Sequence, residues 1–247
     1  MRSPTVRRLL LAIASLVVAP ATSLSQTAWP VVFLVAGYSI ACAQNPDPAT
    51  PPVEREVRGG GHTIISNRLP AADLTFGDDF RYVGSQVVNL YGNAFAEQHV
   101  FVKGASAGPV EAFYWVQFEH YLPTNSNTYS YRPERTTDVG GLQFIYDVRA
   151  FTDYGGATRD PRSDGAAIAA LLARHDVKFP ARMARVRMFH LPTADRRSEL
   201  MIIYGEALAP NSRIPTGADG ISLDSQSPED AKVMLDHARQ GLKIRRK

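Results

Sequence analysis

The chain has 247 residues, a single cysteine and a formal net charge of +3. The first 43 residues contain three arginines and no acidic residue, which leaves 24 basic and 24 acidic residues in the rest of the chain. The excess positive charge therefore belongs to the N-terminal segment and gives no reason to expect a nucleic-acid partner. Because the cysteine, Cys42, also lies there, the remaining 200 or so residues form no disulfide, and their number suits one hydrophobic core.

The N-terminal segment has the features of an export signal. Arg7 and Arg8 precede a first apolar run, and a second apolar run covers residues 30–43. Neither run reaches the ~20 apolar residues that a membrane-spanning helix needs. Small residues at Ala41 and Ala43 suit cleavage before Gln44. We therefore expect residues 1–43 to direct export, so that the protein is periplasmic, secreted or attached to a membrane through its N-terminus.

Two alternatives to simple cleavage stay open. Residues 39–42, Ser-Ile-Ala-Cys, resemble a bacterial lipobox, which would make Cys42 a lipidation site, although Ser39 stands where leucine is usual. An uncleaved segment would instead act as a membrane anchor. Residues 44–61 are rich in proline and end in three glycines, a composition that predicts a flexible linker. A single domain is then expected over residues 62–247.

The clearest strand pattern covers residues 110–123. One row of alternate residues, from Ala112 to Leu122, is apolar except for His120, which we interpret as a hydrogen-bonded core histidine. The other row, from Glu111 to Tyr121, mixes acidic, amide and aromatic side chains. Alternation with a period of two over this length indicates a β-strand.

Strand patterns also occur on both sides of this segment; most alternate, whereas residues 199–208 are nearly all apolar and predict a central strand. They cover residues 80–103 with a turn at 91–93, residues 142–151, residues 184–191 and residues 199–208. A polar loop of about 18 residues follows Pro123, and loops of this length are often functional. Arg185 and Arg187 share one side of their strand, which predicts an exposed edge.

Two helices complete the predicted elements. Ser163 or Asp164 is a suitable N-cap for residues 165–175, and Ser227 followed by Pro228 starts an amphipathic helix that extends to about residue 243. Strands joined by short turns imply antiparallel pairing. The expected fold class is therefore α+β, an antiparallel sheet of about six strands with two helices packed mainly on one face.

No catalytic or cofactor motif is found after residue 43. The chain has no nucleophile elbow, phosphate-binding loop, dinucleotide fingerprint or cysteine–histidine metal pattern, so we predict neither a cofactor nor a metal. If strands 95–103, 111–121 and 142–151 are neighbours, their odd-numbered residues combine polar and aromatic side chains on one sheet face. The members of this face are Glu97, His99, Phe113, Trp115, Gln117, Glu119, Asp147 and Arg149.

This face has two functional interpretations, ligand binding and catalysis, and one that needs no function. Ligand binding would use Phe113, Trp115, Gln117, Asp147 and Arg149, because aromatic and polar groups together hold small molecules. Acid–base catalysis in a hydrolase or isomerase would use the three residues Glu97, His99 and Glu119. The ordinary explanation is a solvent-exposed sheet face that carries charge pairs such as Glu119–Arg149.

A tyrosine cluster flanks the long loop. Tyr121, Tyr129 and Tyr131 could line a carbohydrate or peptide groove, or could simply pack at the sheet edge.

The function predicted from these patterns is an exported or envelope-attached, non-enzymatic domain that binds a small molecule or an envelope protein. An acid–base enzyme and a structural envelope protein are the alternatives. No pattern in the sequence predicts the oligomeric state.

Overall fold

The computed structural model describes residues 49–132, 135–154 and 160–247, so the predicted export signal and Cys42 lie outside the described residues. The strands are β1 (Glu56–Arg58), β2 (Thr63–Ser66), β3 (Ala72–Phe76), β4 (Arg81–Leu90), β5 (Ala94–Lys103), β6 (Gly108–Pro109), β7 (Ala112–Tyr121), β8 (Thr136–Val139), β9 (Leu142–Thr152), β10 (Val177–Lys178), β11 (Arg182–His190), β12 (Ser198–Ala207), β13 (Ile221–Ser222) and β14 (Leu242–Arg246). The helices are α1 (Asp164–Ala173), α2 (Leu223–Gln226) and α3 (Pro228–Gln240). None of these helices is both long and apolar enough to cross a membrane.

The main sheet confirms the predicted α+β class with antiparallel strands. Its order is β13-β9-β11-β12-β7-β5-β4, with β8 paired to β9. The six long strands are the ones that alternation predicts. The predicted count of about six strands is wrong, because the main sheet has eight strands within the described residues. The two additional strands, β8 and β13, have four and two residues and are too short to show a period.

A second sheet of four strands, β1-β2-β3-β14, accompanies the main sheet in the described part of the chain. Its first strand lies inside the stretch predicted to be a flexible linker. The glycine triplet makes the turn from β1 to β2, where all three glycines have positive φ angles that other residues rarely adopt. The C-terminal tail follows a helix that was predicted to extend to about residue 243, and Leu242–Arg246 pair as β14 with β3.

The main sheet is covered on both faces. We call one the α1 face, which carries Phe113, Trp115 and Gln117 of β7, and the other the α3 face, which carries Tyr114, Val116 and Phe118. The expectation that both helices pack mainly on one face is wrong. Apolar residues of α1 pack into the cluster that contains Trp115, whereas those of α3 pack with Tyr114 in the other cluster.

Strand β11 lies inside the sheet, between β9 and β12, so the predicted exposed edge at this strand is also wrong. Arg185 is buried on the α1 face, and its guanidinium lies over the ring of Phe151 with 4.8 Å to the centroid. The side chain of Arg185 therefore packs in the protein interior, on one face of the sheet.

Candidate functional site

The polar face predicted from the sequence does not exist as one surface. In antiparallel strands, directly opposed residues point to the same face. His99 of β5 is opposite Val116 of β7, and Val100 is opposite Trp115. His99 and Glu97 therefore lie on the α3 face, whereas Trp115 lies on the α1 face.

The remaining predicted residues share the α1 face but are not all together. Two strands, β12 and β11, separate β9 from β7, so the predicted neighbour relation of these strands is wrong. Glu119 is opposite Glu199, and Arg149 is opposite Arg185, which excludes the predicted Glu119–Arg149 pair. Asp147 accepts hydrogen bonds from Arg187, at 3.0 Å from Nε and 2.8 Å from Nη2.

The two aromatic residues predicted to bind a ligand are interior residues. Phe113 is fully buried and Trp115 is 1% exposed, in the cluster that α1 covers. Helix α1 covers both rings. Neither ring lines a surface pocket in the described residues, so the accessible chemistry of the α1 face lies elsewhere.

Glu97 is the centre of a buried ionic network on the α3 face. Its carboxylate accepts from Arg55 Nη1 at 2.9 Å, from His99 Nε2 at 2.8 Å, and from the backbone N–H groups of Glu54 and Arg55 at 3.0 Å each. Burial opposes ionisation of Glu97, but these hydrogen bonds and the charge of Arg55 outweigh it and lower its pKa to about 2. A carboxylate with so many donors is fixed in its charged form and fits a structural role better than the acid–base role predicted for it.

A chain of amide hydrogen bonds crosses the α1 face. Gln86 Nε2 donates to Gln98 Oε1 at 2.9 Å, and Gln98 Nε2 donates to Gln117 Oε1 at 2.8 Å. Gln117 Nε2 then donates to Glu119 Oε2 at 2.6 Å. Each amide passes an N–H to the next residue, so the chain ends at a group that only needs to accept, which is the carboxyl of Glu119. Gln117 thus positions Glu119.

Two carboxyl groups meet where this chain ends. Glu119 and Glu199 are directly opposed on β7 and β12. Each accepts a hydrogen bond from a tyrosine of the long loop: Tyr129 OH lies 2.7 Å from Glu119 Oε1, and Tyr131 OH bonds Glu199 Oε2. Like charges directly opposed across strands repel each other, so this pair is expected to hold a proton.

The proton affinities of these carboxyls agree with that expectation. Burial raises the pKa of Glu199 to about 8, with the charge of Glu119 adding to the effect and the Tyr131 hydrogen bond opposing it. Burial also raises the pKa of Glu119 and that of Asp164 at the start of α1. Glu199 therefore carries its proton at neutral pH, which is unusual for a carboxyl group and typical of functional sites.

A cavity of about 350 Å³ opens at these carboxyls, and we call it the tyrosine–glutamate pocket. It is lined by Glu119, Glu199, Asp164, Arg187 and aromatic residues of the loop and sheet. The aromatic rings form a column. Its members, in order, are Tyr121, Tyr129, Tyr131 and Phe189.

The middle of this column is its widest interval. Tyr121 stacks on Tyr129 at 4.5 Å between centroids, and Tyr131 stacks on Phe189 at 4.1 Å. Tyr129 and Tyr131 are parallel within 8° but 6.5 Å apart. Two hydroxyl-bearing rings thus lie side by side, and each hydroxyl is bonded to one of the two carboxyls.

Sequence patterns identified part of this pocket. Glu119 and the three tyrosines stood out, but Glu199 did not, because it starts a strand that is otherwise apolar and was interpreted only as central. The pairing of Glu199 with Glu119 could be found only from the register between β7 and β12. Asp164 entered the sequence analysis only as one of two candidate N-caps, and the other candidate, Ser163, is the residue whose side chain caps α1.

Within the described ranges, no group of three or more histidine, cysteine, aspartate or glutamate side chains is arranged to hold a metal ion. Comparisons of the chain with protein-family models, with curated proteins and with solved structures find no match. The pocket must therefore be interpreted from its own residues.

Replacing Glu97 tests its structural role. Glu97→Gln leaves the guanidinium of Arg55 buried without its counter-charge, and we expect the free energy of unfolding at pH 7 to fall by about 3–5 kcal/mol. Because the folded pKa of Glu97 is about 2 and its ordinary value 4.5, the stabilisation is present above pH 4.5 and lost as the pH falls towards 2. Denaturant unfolding between pH 2 and 7 measures both effects.

The matched control is Glu56→Gln, which removes a carboxylate that pairs with Arg58 on the surface. Surface pairs contribute about 1 kcal/mol or less. Equal losses in the two variants would show that the Glu97 network is not a stabilising centre.

Replacing Glu199 tests the protonated carboxyl. A folded pKa of about 8 against an ordinary value of 4.5 means that this group stabilises the fold below pH 4.5 and that the stabilisation is lost as the pH rises through 8. We expect the free energy of unfolding to decline between pH 5 and 9, and Glu199→Gln to reduce that decline because the amide cannot ionise. Glu229→Gln, at an exposed position, is expected to keep the wild-type slope. A wild-type slope in Glu199→Gln would contradict this assignment.

Proposed function

We propose that this chain is an exported protein that binds a small organic cation in the tyrosine–glutamate pocket without transforming it. Export is supported by the charged and then apolar N-terminal segment with small residues before Gln44. The choice of a cationic ligand is supported by the chemistry of the pocket, which combines acidic groups with aromatic rings.

The observation that carries the proposal is the missing counter-charge of the acid pair. By contrast, the buried Glu97 is paired with Arg55, and the half-buried Asp147 is paired with Arg187. No lysine, arginine or histidine among the described residues lies within salt-bridge distance of Glu119 or Glu199. Arg187 borders the pocket and its charge lowers the pKa of Glu199, but its guanidinium donates two hydrogen bonds to Asp147 and forms no ion pair with either glutamate.

A bound cation would supply that missing charge. Carboxyl groups whose pKa is raised by burial and mutual repulsion are stabilised as anions when a positive charge enters. Binding of a cation therefore releases a proton from the Glu119–Glu199 pair, and the affinity rises as the pH rises towards 8.

The aromatic residues fit the same ligand. The faces of aromatic rings attract cations within ~6 Å of the ring centroid, and the effect is larger when the cation is desolvated. Tyr129 and Tyr131 hold their hydroxyls on the acid pair, so their rings flank the site. The cavity of about 350 Å³ is at the lower end of the range for small-molecule sites.

Calorimetric titration with matched charged and uncharged probes tests this function. Benzamidine and choline are the cations, and benzamide and 3,3-dimethylbutanol are their uncharged counterparts. We expect the cations to bind at least tenfold more tightly, with an affinity that rises from pH 6 to 8.5 and a heat that depends on the buffer because a proton is released.

The matched variants assign binding to the pocket. Glu119→Gln and Glu199→Gln each remove one acid and are expected to weaken cation binding at least tenfold. Glu229→Gln removes an exposed acid on α3 and is expected to leave binding unchanged. Equal binding of charged and uncharged probes, or failure of both cations to bind at millimolar concentration, would refute the proposal.

Acid–base catalysis is the second candidate, and one specific observation favours it. A carboxyl that holds its proton up to a pH of about 8 faces a second carboxyl across the strand pair. Such a pair can act as general acid and general base in glycoside hydrolysis.

This second candidate assigns the catalytic roles to Glu119 and Glu199 in place of Glu97 and His99. It predicts release of nitrophenol from 4-nitrophenyl glycosides, with loss of turnover in both Glu119→Gln and Glu199→Gln. No release from any glycoside tested would leave cation binding as the function of the pocket.

A further inference from the structure

A second cleft lies on the α3 face of the main sheet, beside the residues that precede β1. Its volume is about 610 Å³, within the range of small-molecule sites. One wall is the segment of residues 51–55 that precedes β1, which we call the arm. Val87, Phe95 and Phe118 of the main sheet form the floor, and Leu69 and Ala71 of the β2–β3 loop form the opposite wall.

Most of the charged side chains around this cleft are paired with each other. Arg55 is neutralised by Glu97 at 2.9 Å, and Arg68 is paired with Glu54 at 3.0 Å between the loop and the arm. His120, predicted to be a hydrogen-bonded core histidine, is instead exposed and borders the cleft. Partial desolvation of the imidazole by the neighbouring residues lowers its pKa, which favours the neutral form. Glu119 is the remaining acidic residue at the cleft, and its carboxyl is bonded to Gln117 and Tyr129, so the walls that the cleft offers are mainly apolar.

Exposed apolar side chains concentrate at the same place. Among the described residues, four large hydrophobic side chains are exposed: Val53, Leu69, Tyr91 and Val233. Leu69, which is 51% exposed, lines the cleft, and Val53, which is 39% exposed, belongs to the arm that forms its wall. Apolar surface left in water at the rim of a concave site is typical of a site that binds an apolar ligand.

We propose that this cleft is a second binding site for an uncharged and mainly apolar molecule of the size of a ten-carbon chain or a fused aromatic ring system, and that it acts separately from the tyrosine–glutamate pocket although Glu119 borders both. The apolar body lies against Val87, Phe95 and Phe118. A single polar group at one end of the ligand meets the neutral imidazole of His120. A charged ligand is disfavoured because both guanidinium groups already have carboxylate partners.

Fluorescence titration with N-phenyl-1-naphthylamine, an uncharged apolar probe, tests the site. We expect saturable binding with an increase in fluorescence, and displacement by 1-decanol at concentrations at least tenfold below those needed with decanoate or decylammonium. No saturable binding would overturn the proposal. Equal displacement by 1-decanol and decanoate would overturn the assignment of an uncharged ligand.

Variants at exposed positions locate the site without disturbing the core. Leu69→Lys places a charge at the rim and Ala71→Trp fills the cleft, and each is expected to raise the probe Kd at least tenfold. Val233→Lys, which makes the same kind of change on α3, is expected to leave the Kd unchanged. Wild-type affinity in both cleft variants, or an equal loss in Val233→Lys, would refute the location.

A final variant separates this site from the other pocket. Glu199→Gln, which alters the tyrosine–glutamate pocket on the opposite face, is expected to leave the probe Kd within twofold of wild type. A larger change would overturn the independence of the two sites.

Discussion

Covering the main sheet on both faces means that polar side chains in its interior must be satisfied inside the protein. Water is the usual partner on an exposed sheet face, but α1 excludes it from one face, and α3 with the four-stranded sheet excludes it from the other. A buried polar group without a partner costs about 1–3 kcal/mol, and a buried charge costs more. The polar residues of β5 and β7 are therefore organised into networks, and the two faces solve the problem differently.

The α3 face uses charge compensation, and the α1 face uses neutral donors. Glu97 is ionised because a guanidinium, an imidazole and two backbone N–H groups converge on it. Glu119 and Glu199 receive their hydrogen bonds from an amide and two tyrosine hydroxyls, none of which carries a charge. Neutral donors satisfy hydrogen bonding but leave the cost of a buried negative charge in place. That difference separates a structural carboxylate from a pair of carboxyls that can respond to a ligand.

The sequence specifies the long strands clearly and their mutual register hardly at all. Alternation, or a continuous apolar run in the case of β12, predicts the six long strands, since each pattern is a property of one segment. Whether His99 and Trp115 share a face depends on the offset between two strands, and a shift by one residue moves every side chain to the opposite face. Odd positions of β5 align with even positions of β7, whereas odd positions of β7, β12, β11 and β9 align with one another. Short strands such as β13 and β14 contain too few residues for a period, so neither strand could be predicted from the sequence.

The attachment of the arm changes where the folding unit begins. Composition places the start of the domain near residue 62, after the glycine triplet, yet Arg55 and the backbone of Glu54 supply three of the four hydrogen bonds to Glu97. A shortened chain that started at residue 62 would leave Glu97 with only His99 as a donor, inside an apolar environment. The proline-rich stretch can be a tether only as far as residue 53. A force applied to the chain before residue 53 would act on the core of the protein first at the Arg55–Glu97 ion pair.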